Sequence, residues 1–196
     1  MLNNALKRIF EFLEEKEKQN PPFLWKHMND MPLTKEELIV KGDLRLQNSK
    51  ITSLPKGLKV GGTLDLHKSK IQSLPENLEV GGSLILVSAE ITSLPRGLKV
   101  GGDLMLGNSK ITSLSKGLTV GYSLHLNETN ITSLPEGLKV GINLYLMDSK
   151  IESLPRGLEV GSNLWIGGTE LEKYTDDEIR NMIKPGFITS KIRRRG

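Results

Sequence analysis

Leucines recur in pairs two positions apart, and the pairs recur every 20 residues. Leu44/Leu46, Leu64/Leu66, Leu84/Leu86, Leu104/Leu106, Leu124/Leu126, Leu144/Leu146 and Leu164/Ile166 follow one another without insertion. Ile51, Ile71, Ile91, Ile111, Ile131, Ile151 and Leu171 form a further column, and Leu54, Leu58 and Val60 begin three more. A spacing of two places both leucines on one face of an extended strand and the residues between them on the other. A fixed period of this length predicts a solenoid, in which each unit buries its apolar face against its neighbours. Stacking in register predicts a parallel sheet of seven short strands, one per coil, with little regular helix over residues 40–171.

The return path is punctuated. Proline follows Leu54, Leu74, Leu94, Leu134 and Leu154, which biases those leucines toward extended backbone; Ser115 stands in its place in the fourth copy. The column Gly57, Asn77, Gly97, Gly117, Gly137, Gly157 admits only asparagine as a substitute, which predicts a left-handed conformation. A second column, Gly61 through Gly161, marks either another positive φ or a close backbone approach. Ser49, Ser69, Ser109, Thr129, Ser149 and Thr169 recur just after the strand, where hydroxyls can satisfy backbone groups of the bend; Ala89 interrupts them.

The positions between the paired leucines vary freely. The central outward column reads Arg45, Asp65, Ile85, Met105, His125, Tyr145, Trp165, and the next reads Gln47, His67, Val87, Gly107, Asn127, Met147, Gly167. The column before them, Asp43 to Asn163, is read as equally unconstrained. Large apolar residues at Ile85, Val87, Met105, Tyr145, Met147 and Trp165 sit where water is expected. Tyr, Trp and Met are typical interface anchors, so these positions, with Arg45, Asp65 and His125, form the candidate partner-binding face. Tyr122 and Ile142 replace glycine beside it.

The ends depart from the period, giving three expected segments: a helical N-terminal cap over 1–33, the solenoid over 34–171, and a cap helix with a basic tail over 172–196. Leu2, Leu6, Ile9 and Leu13 have helical spacing, "NPPFLW" is expected to break that helix, and "LTKEEL" looks like a second helical start capped by Thr34 and Glu37. Thr175 and Glu178 form another capping box, Pro185–Gly186 stop the helix, and "FITSKI" offers a final strand before the solvated "RRRG".

The motif "LxLxxSxIxxLPxxL" resembles the leucine-rich repeat in its shortest form. Over roughly 40–171 it is similar to the 20-residue repeats of bacterial leucine-rich-repeat effectors, and more so to short "LPxGLxVGGxLxL" repeat proteins of phages and bacteria. Ser or Thr stands where that family usually has asparagine, and glycine where it has the first leucine. The resemblance implies a parallel sheet on a concave face that binds a protein partner, and a phage origin would imply a host defence or regulatory protein as the target.

Composition narrows the chemistry. The 196 residues include no cysteine, which excludes disulfides, thiolate metal sites and a cysteine nucleophile. The 27 basic and 23 acidic residues leave a net charge of +4, too mild to imply nucleic acid alone. Lys50, Lys70, Lys110 and Lys150 form a ladder, with further basic residues at Lys56, Arg96, Lys116 and Arg156, and Glu76, Glu79, Glu90, Glu136 and Glu159 interrupt these charges. His67 and His125 lie three coils apart, and Asp65 beside His67 has no nucleophile near it. No cofactor, metal, membrane contact or enzymatic activity is expected, and the chain is read as a cytoplasmic monomer, in the host cytosol if phage-encoded. The leading reading is a protein-binding module acting as a small inhibitor or decoy. The alternatives are a nucleic-acid binder using the lysine ladder and the Arg193–Arg195 tail, and a structural or assembly protein.

Overall fold

A computed structural model describes residues 22–195. The chain divides into two units at Leu38/Ile39. In the first, helix α1 (Pro22–Met28) carries buried Phe23 and Leu24. The expected helix over residues 1–19 lies outside the described residues, as does most of the 1–33 cap. Within "NPPFLW", Pro22 opens α1, a position where proline's missing N–H costs nothing. The Thr34–Glu37 box forms, with Thr34 N–H donating to Glu37 Oε2 at 2.9 Å and Glu37 N–H to Thr34 Oγ1 at 3.3 Å. It closes a turn rather than a helix, because the chain is extended again by Ile39. Lys26 holds the Glu37 carboxylate and, together with the Thr34 N–H, keeps its pKa below the ordinary value.

The second unit is a parallel β-solenoid. Each coil contributes two strands, not the one expected. One sheet, here the leucine sheet, stacks Leu44–Arg45, Leu64–Asp65, Leu84–Ile85, Leu104–Met105, Leu124–His125, Leu144–Tyr145, Leu164–Trp165 and Ile192–Arg193. The other, the valine sheet, stacks Ile39–Val40, Lys59–Val60, Glu79–Val80, Lys99–Val100, Thr119–Val120, Lys139–Val140, Glu159–Val160 and Phe187–Ile188. The reason is legible in retrospect: Leu58 and Val60 are also an inward pair two apart, with Lys59 pointing out between them. Register is one coil per step, Leu64 on Leu84 and Val60 on Val80.

The core is the stack of inward columns. Leu64, Leu66, Ile71, Leu84, Leu86 and Ile91 are fully buried, and the Leu54, Leu58 and Val60 columns are buried throughout. The bends follow the two glycine columns. Gly57, Asn77, Gly97, Gly117, Gly137 and Gly157 all have φ between +62° and +78°. Gly61 to Gly161 resolve the other way: φ is not left-handed, and a Cβ would enter the backbone of the coil before. A second left-handed column was not foreseen. It runs Asn48, Lys68, Ser88, Asn108, Glu128, Asp148 and Gly168, all with φ between +52° and +73°.

The hydroxyl column divides by residue type. Thr129 Oγ1 donates to Leu126 O at 2.7 Å and Thr169 Oγ1 to Ile166 O at 2.6 Å. Among the described residues the hydroxyls of Ser49, Ser69, Ser109 and Ser149 are buried without a partner, so the expected bend-satisfying role holds there for threonine alone. Ser115, which replaces proline, donates its hydroxyl to Leu94 O in the preceding coil.

The last coil is stretched. Phe187 pairs with Glu159, a step of 28 residues in place of 20. The excess is taken up by a 3₁₀ turn (Glu170–Lys173) and helix α2 (Asp176–Met182), whose Thr175–Glu178 capping box is complete. Ile179 and Ile183 are buried, whereas Met182 is half-buried. "FITSKI" then supplies two strands, one per sheet. The basic tail is exposed at Arg193 and Arg195, as expected, but it is anchored by polar contacts. Arg194 binds Asp176 at 2.6 Å and Tyr174 O at 2.8 Å, and Arg195 pairs with Asp148 while its N–H donates to Glu172 at 3.1 Å.

Candidate partner-binding face

The outward side of the leucine sheet carries the candidate residues. Parallel pairing sets Asp65 beside Ile85, Ile85 beside Met105, Met105 beside His125, His125 beside Tyr145, and Tyr145 beside Trp165. All six are half-buried, as are Val87 and Met147 in the neighbouring column, while Arg45 is exposed. Their partial burial is mutual: each side chain leans on its neighbour roughly 4.8 Å away along the stack.

The rings form a ladder. His125 stacks on Tyr145 with centroids 4.4 Å apart and planes 13° from parallel, and Tyr145 stacks on Trp165 at 5.8 Å and 17°. Arg193, expected from the sequence in the basic tail, pairs in register with Trp165 and sets its guanidinium 5.6 Å from the ring centroid. The ladder therefore runs His125, Tyr145, Trp165, Arg193, and presents ring edges rather than faces outward. Stacking of this kind contributes about 0.5–1.5 kcal/mol per pair beyond area burial. By this argument Tyr145 and Trp165 contribute to the stability of the sheet as well as to its surface. Burial lowers the His125 pKa against an opposing pull from Asp103, so the ring is neutral at pH 7.

The column before the ladder is not free, contrary to expectation. Asp43 Oδ1 accepts the N–H of Thr63 at 2.8 Å, Ser83 Oγ that of Asp103 at 3.1 Å, and Asp103 Oδ1 that of Ser123 at 2.8 Å. Ser123 and Asn143 continue the pattern to Asn143 and Asn163, and Asn163 accepts from Lys191. Every side chain of the column but Thr63 caps a backbone N–H of the following coil, which accounts for the restriction to short polar residues. That restriction was the available signal.

The candidates do not all form one patch. Arg45 and Asp65 lie at the far end of the sheet from Trp165. Arg45 is 3.6 Å from Asp43, and Asp65 accepts the backbone N–H of His67 at 3.0 Å. Around Gly107, by contrast, the missing side chain leaves a depression of about 360 Å³ between Val87, Met105, His125 and Asn127. Tyr122 and Ile142 are exposed at the bend preceding this face.

Elsewhere several charges are paired. On the valine sheet Lys59 binds Glu79 at 2.7 Å and Lys139 binds Glu159 at 2.9 Å. On the return path Glu90 bridges Lys70 at 2.7 Å and Lys110 at 3.9 Å, and these two lysines hold its carboxyl below the ordinary range. A larger, shallow groove of about 890 Å³ lies over the valine sheet, but glycine backbone, valines and these paired charges line it, with no aromatic anchor. Among the described residues no three His, Cys, Asp or Glu side chains gather as a metal site, and no helix is long and apolar enough to cross a membrane. Compared with known proteins, the chain matches no protein-family model and no curated protein sequence.

Proposed function

We propose that the protein is a non-enzymatic binding module that docks a protein partner on the outer face of its leucine sheet. The observation that carries this reading is the half-exposed ladder of His125, Tyr145 and Trp165, flanked by Met105 and Met147. A solenoid folds with almost any residue at these positions, yet five adjacent coils present large apolar or aromatic groups there. Held by stacking on a rigid sheet, they lose little entropy on docking. In the leucine-rich-repeat reading this sheet lines a concave surface, the end segments act as helical caps, and a cytoplasmic monomer acts as an inhibitor or decoy of a host protein. Binding to nucleic acid draws less support, because two of the four ladder lysines, Lys70 and Lys110, and two of the three tail arginines face carboxylates.

The test is a pull-down from the native host followed by affinity measurement with Tyr145→Ala and Trp165→Ala. Each is expected to weaken the partner by about thirtyfold, the typical loss for an anchor of about 2 kcal/mol. Equal binding by both variants, with thermal unfolding confirming that they remain folded, would remove the face from consideration.

A further inference from the structure

The central outward column of the leucine sheet carries opposite charges toward its two ends. Asp65 stands on the second strand and Arg193 on the eighth, six strands or about 29 Å apart. They cannot meet within one chain, and among the described residues neither has an ion-pair partner. Asp65 is half-buried and accepts the His67 N–H through Oδ1; Arg193 is exposed and rests on Trp165. Between them the column holds only apolar and aromatic side chains and the neutral His125 ring. The next column has a projection and a hollow: Met147 stands half-buried, and Gly107, two coils before it, leaves the depression of about 360 Å³.

A two-fold axis parallel to the strands and passing over His125 brings these features together. Such an axis reverses the order of the coils and keeps each column opposite itself, with no freedom to slide along the strand. It sets Asp65 opposite Arg193 of a second copy, Ile85 opposite Trp165, and Met105 opposite Tyr145. In the next column it sets Met147 over the hollow at Gly107. Each match occurs twice, as an isologous contact requires. A register one coil off sets Arg193 opposite either Arg45 or Ile85, which loses the charge match. Strand directions in the two copies coincide, as in aligned sheet packing. Hydrogen bonds of one-coil step also run along the return path, where Gln72, Thr92 and Glu152 donate to Thr52, Gln72 and Thr132 at 3.3–3.4 Å. No side of the coil is therefore forced to fan out, and the leucine sheet can meet its copy face to face. One pair opposes the contact: at the rim the exposed Glu128 comes opposite itself.

We infer that the free protein pairs with a second copy of itself, leucine sheet on leucine sheet, in this antiparallel register. The inference rests on the reading of this face as a docking surface, and for the free protein it puts a dimer in place of the monomer. Seven strands and three columns bury about 1,000 Å² in total, the low end of specific interfaces. The dimer is accordingly weak and reversible, and a different protein partner displaces the second copy by competing for Tyr145 and Trp165.

Sedimentation velocity on the full chain, from about 1 to about 300 μM, spans the range in which an interface of this size associates. A monomer–dimer equilibrium is expected. Asp65→Arg and Arg193→Asp should each weaken it at least about tenfold, because each opposes like charges at two symmetric places. Both substitutions in one chain should restore it to within about threefold of the parent, since the pair re-forms with its signs exchanged. Gly107→Val should weaken the dimer by filling the hollow; it is compatible with the fold, since valine occupies the same column at Val87 and Gly107 is not left-handed. Glu128→Gln should tighten it by removing the rim repulsion. Thermal unfolding confirms that each variant remains folded. A chain that stays monomeric throughout, a dimer indifferent to Asp65→Arg, or single losses that the exchanged pair does not rescue would each overturn the inference. None of these results touches the partner reading, which is decided by capture with Tyr145→Ala and Trp165→Ala.

Discussion

Replacing Gly101 with alanine should break the solenoid near its middle. Gly101 is not left-handed, so alanine is permissible on its own dihedrals; the obstacle is the coil before it. A Cβ there would run into the carbonyl oxygen of Gly81 and lie 3.0 Å from its carbon. Both are backbone atoms, so no rotamer change relieves the contact. The coils must separate, which stretches Gly101 N–H to Val80 O (3.0 Å) and Gly102 N–H to Gly82 O (2.9 Å). Weakening two backbone bonds costs about 2 kcal/mol, and loosening Val100 from Val80 about 1 more. A stiffer unfolded chain returns about 0.4–1 kcal/mol. The net loss is about 2–3 kcal/mol, a urea midpoint lower by about 1 M for a typical slope. Gly97→Asn is the control. Gly97 has φ +66° with nothing within 4 Å of a Cβ, and Asn77 occupies the same column at φ +62°. It should cost no more than about 1 kcal/mol. Urea unfolding followed by far-ultraviolet circular dichroism measures both. An unchanged midpoint for Gly101→Ala, or an equal loss for Gly97→Asn, would refute the close-approach argument.

Three further outcomes are expected. Lys68→Gly should raise stability by about 0.5–1 kcal/mol in the same assay, because lysine at φ +52° carries a left-handed penalty that glycine lacks. Ser109→Ala should be neutral within about 0.5 kcal/mol, since its buried hydroxyl has no partner and Ala89 fills the equivalent site, whereas Thr129→Ala should cost about 1–2 kcal/mol through the lost bond to Leu126 O and the lost methyl. The third concerns pH. The folded His125 pKa lies below the unfolded value, so the unfolded state binds more protons and stability rises with pH through this window. The contribution is complete above about pH 6.5 and is lost as pH falls through that unfolded value toward the folded one. Chemical denaturation between about pH 7 and pH 5 should show this slope, and His125→Gln should flatten it; a slope unchanged in the variant would contradict the burial argument.

The sequence by itself determined what depends on spacing along one coil. The 20-residue period, the inward leucine, isoleucine and valine columns, the left-handed Gly57 column and the Thr175–Glu178 cap all follow from local alternation and backbone preference, and all are present. The members of the candidate face were legible for the same reason: a residue between two inward leucines has one direction to point. Tertiary structure decided what depends on contact between coils. The second sheet needed Leu58 and Val60 to find their copies 20 residues away. The polar ladder from Asp43 to Asn163 serves N–H groups of the following coil, and so is invisible within one repeat. The stack of His125, Tyr145 and Trp165 is a choice of rotamers made only when the rings stand one strand apart. Arg193 joined the face, and Arg194 and Arg195 gained carboxylate partners, because an eight-residue excursion through α2 returned the chain to the last coil's edge, beside Asp176, Glu172 and Asp148. Spacing fixes which side of a coil a residue takes; stacking fixes what it meets there.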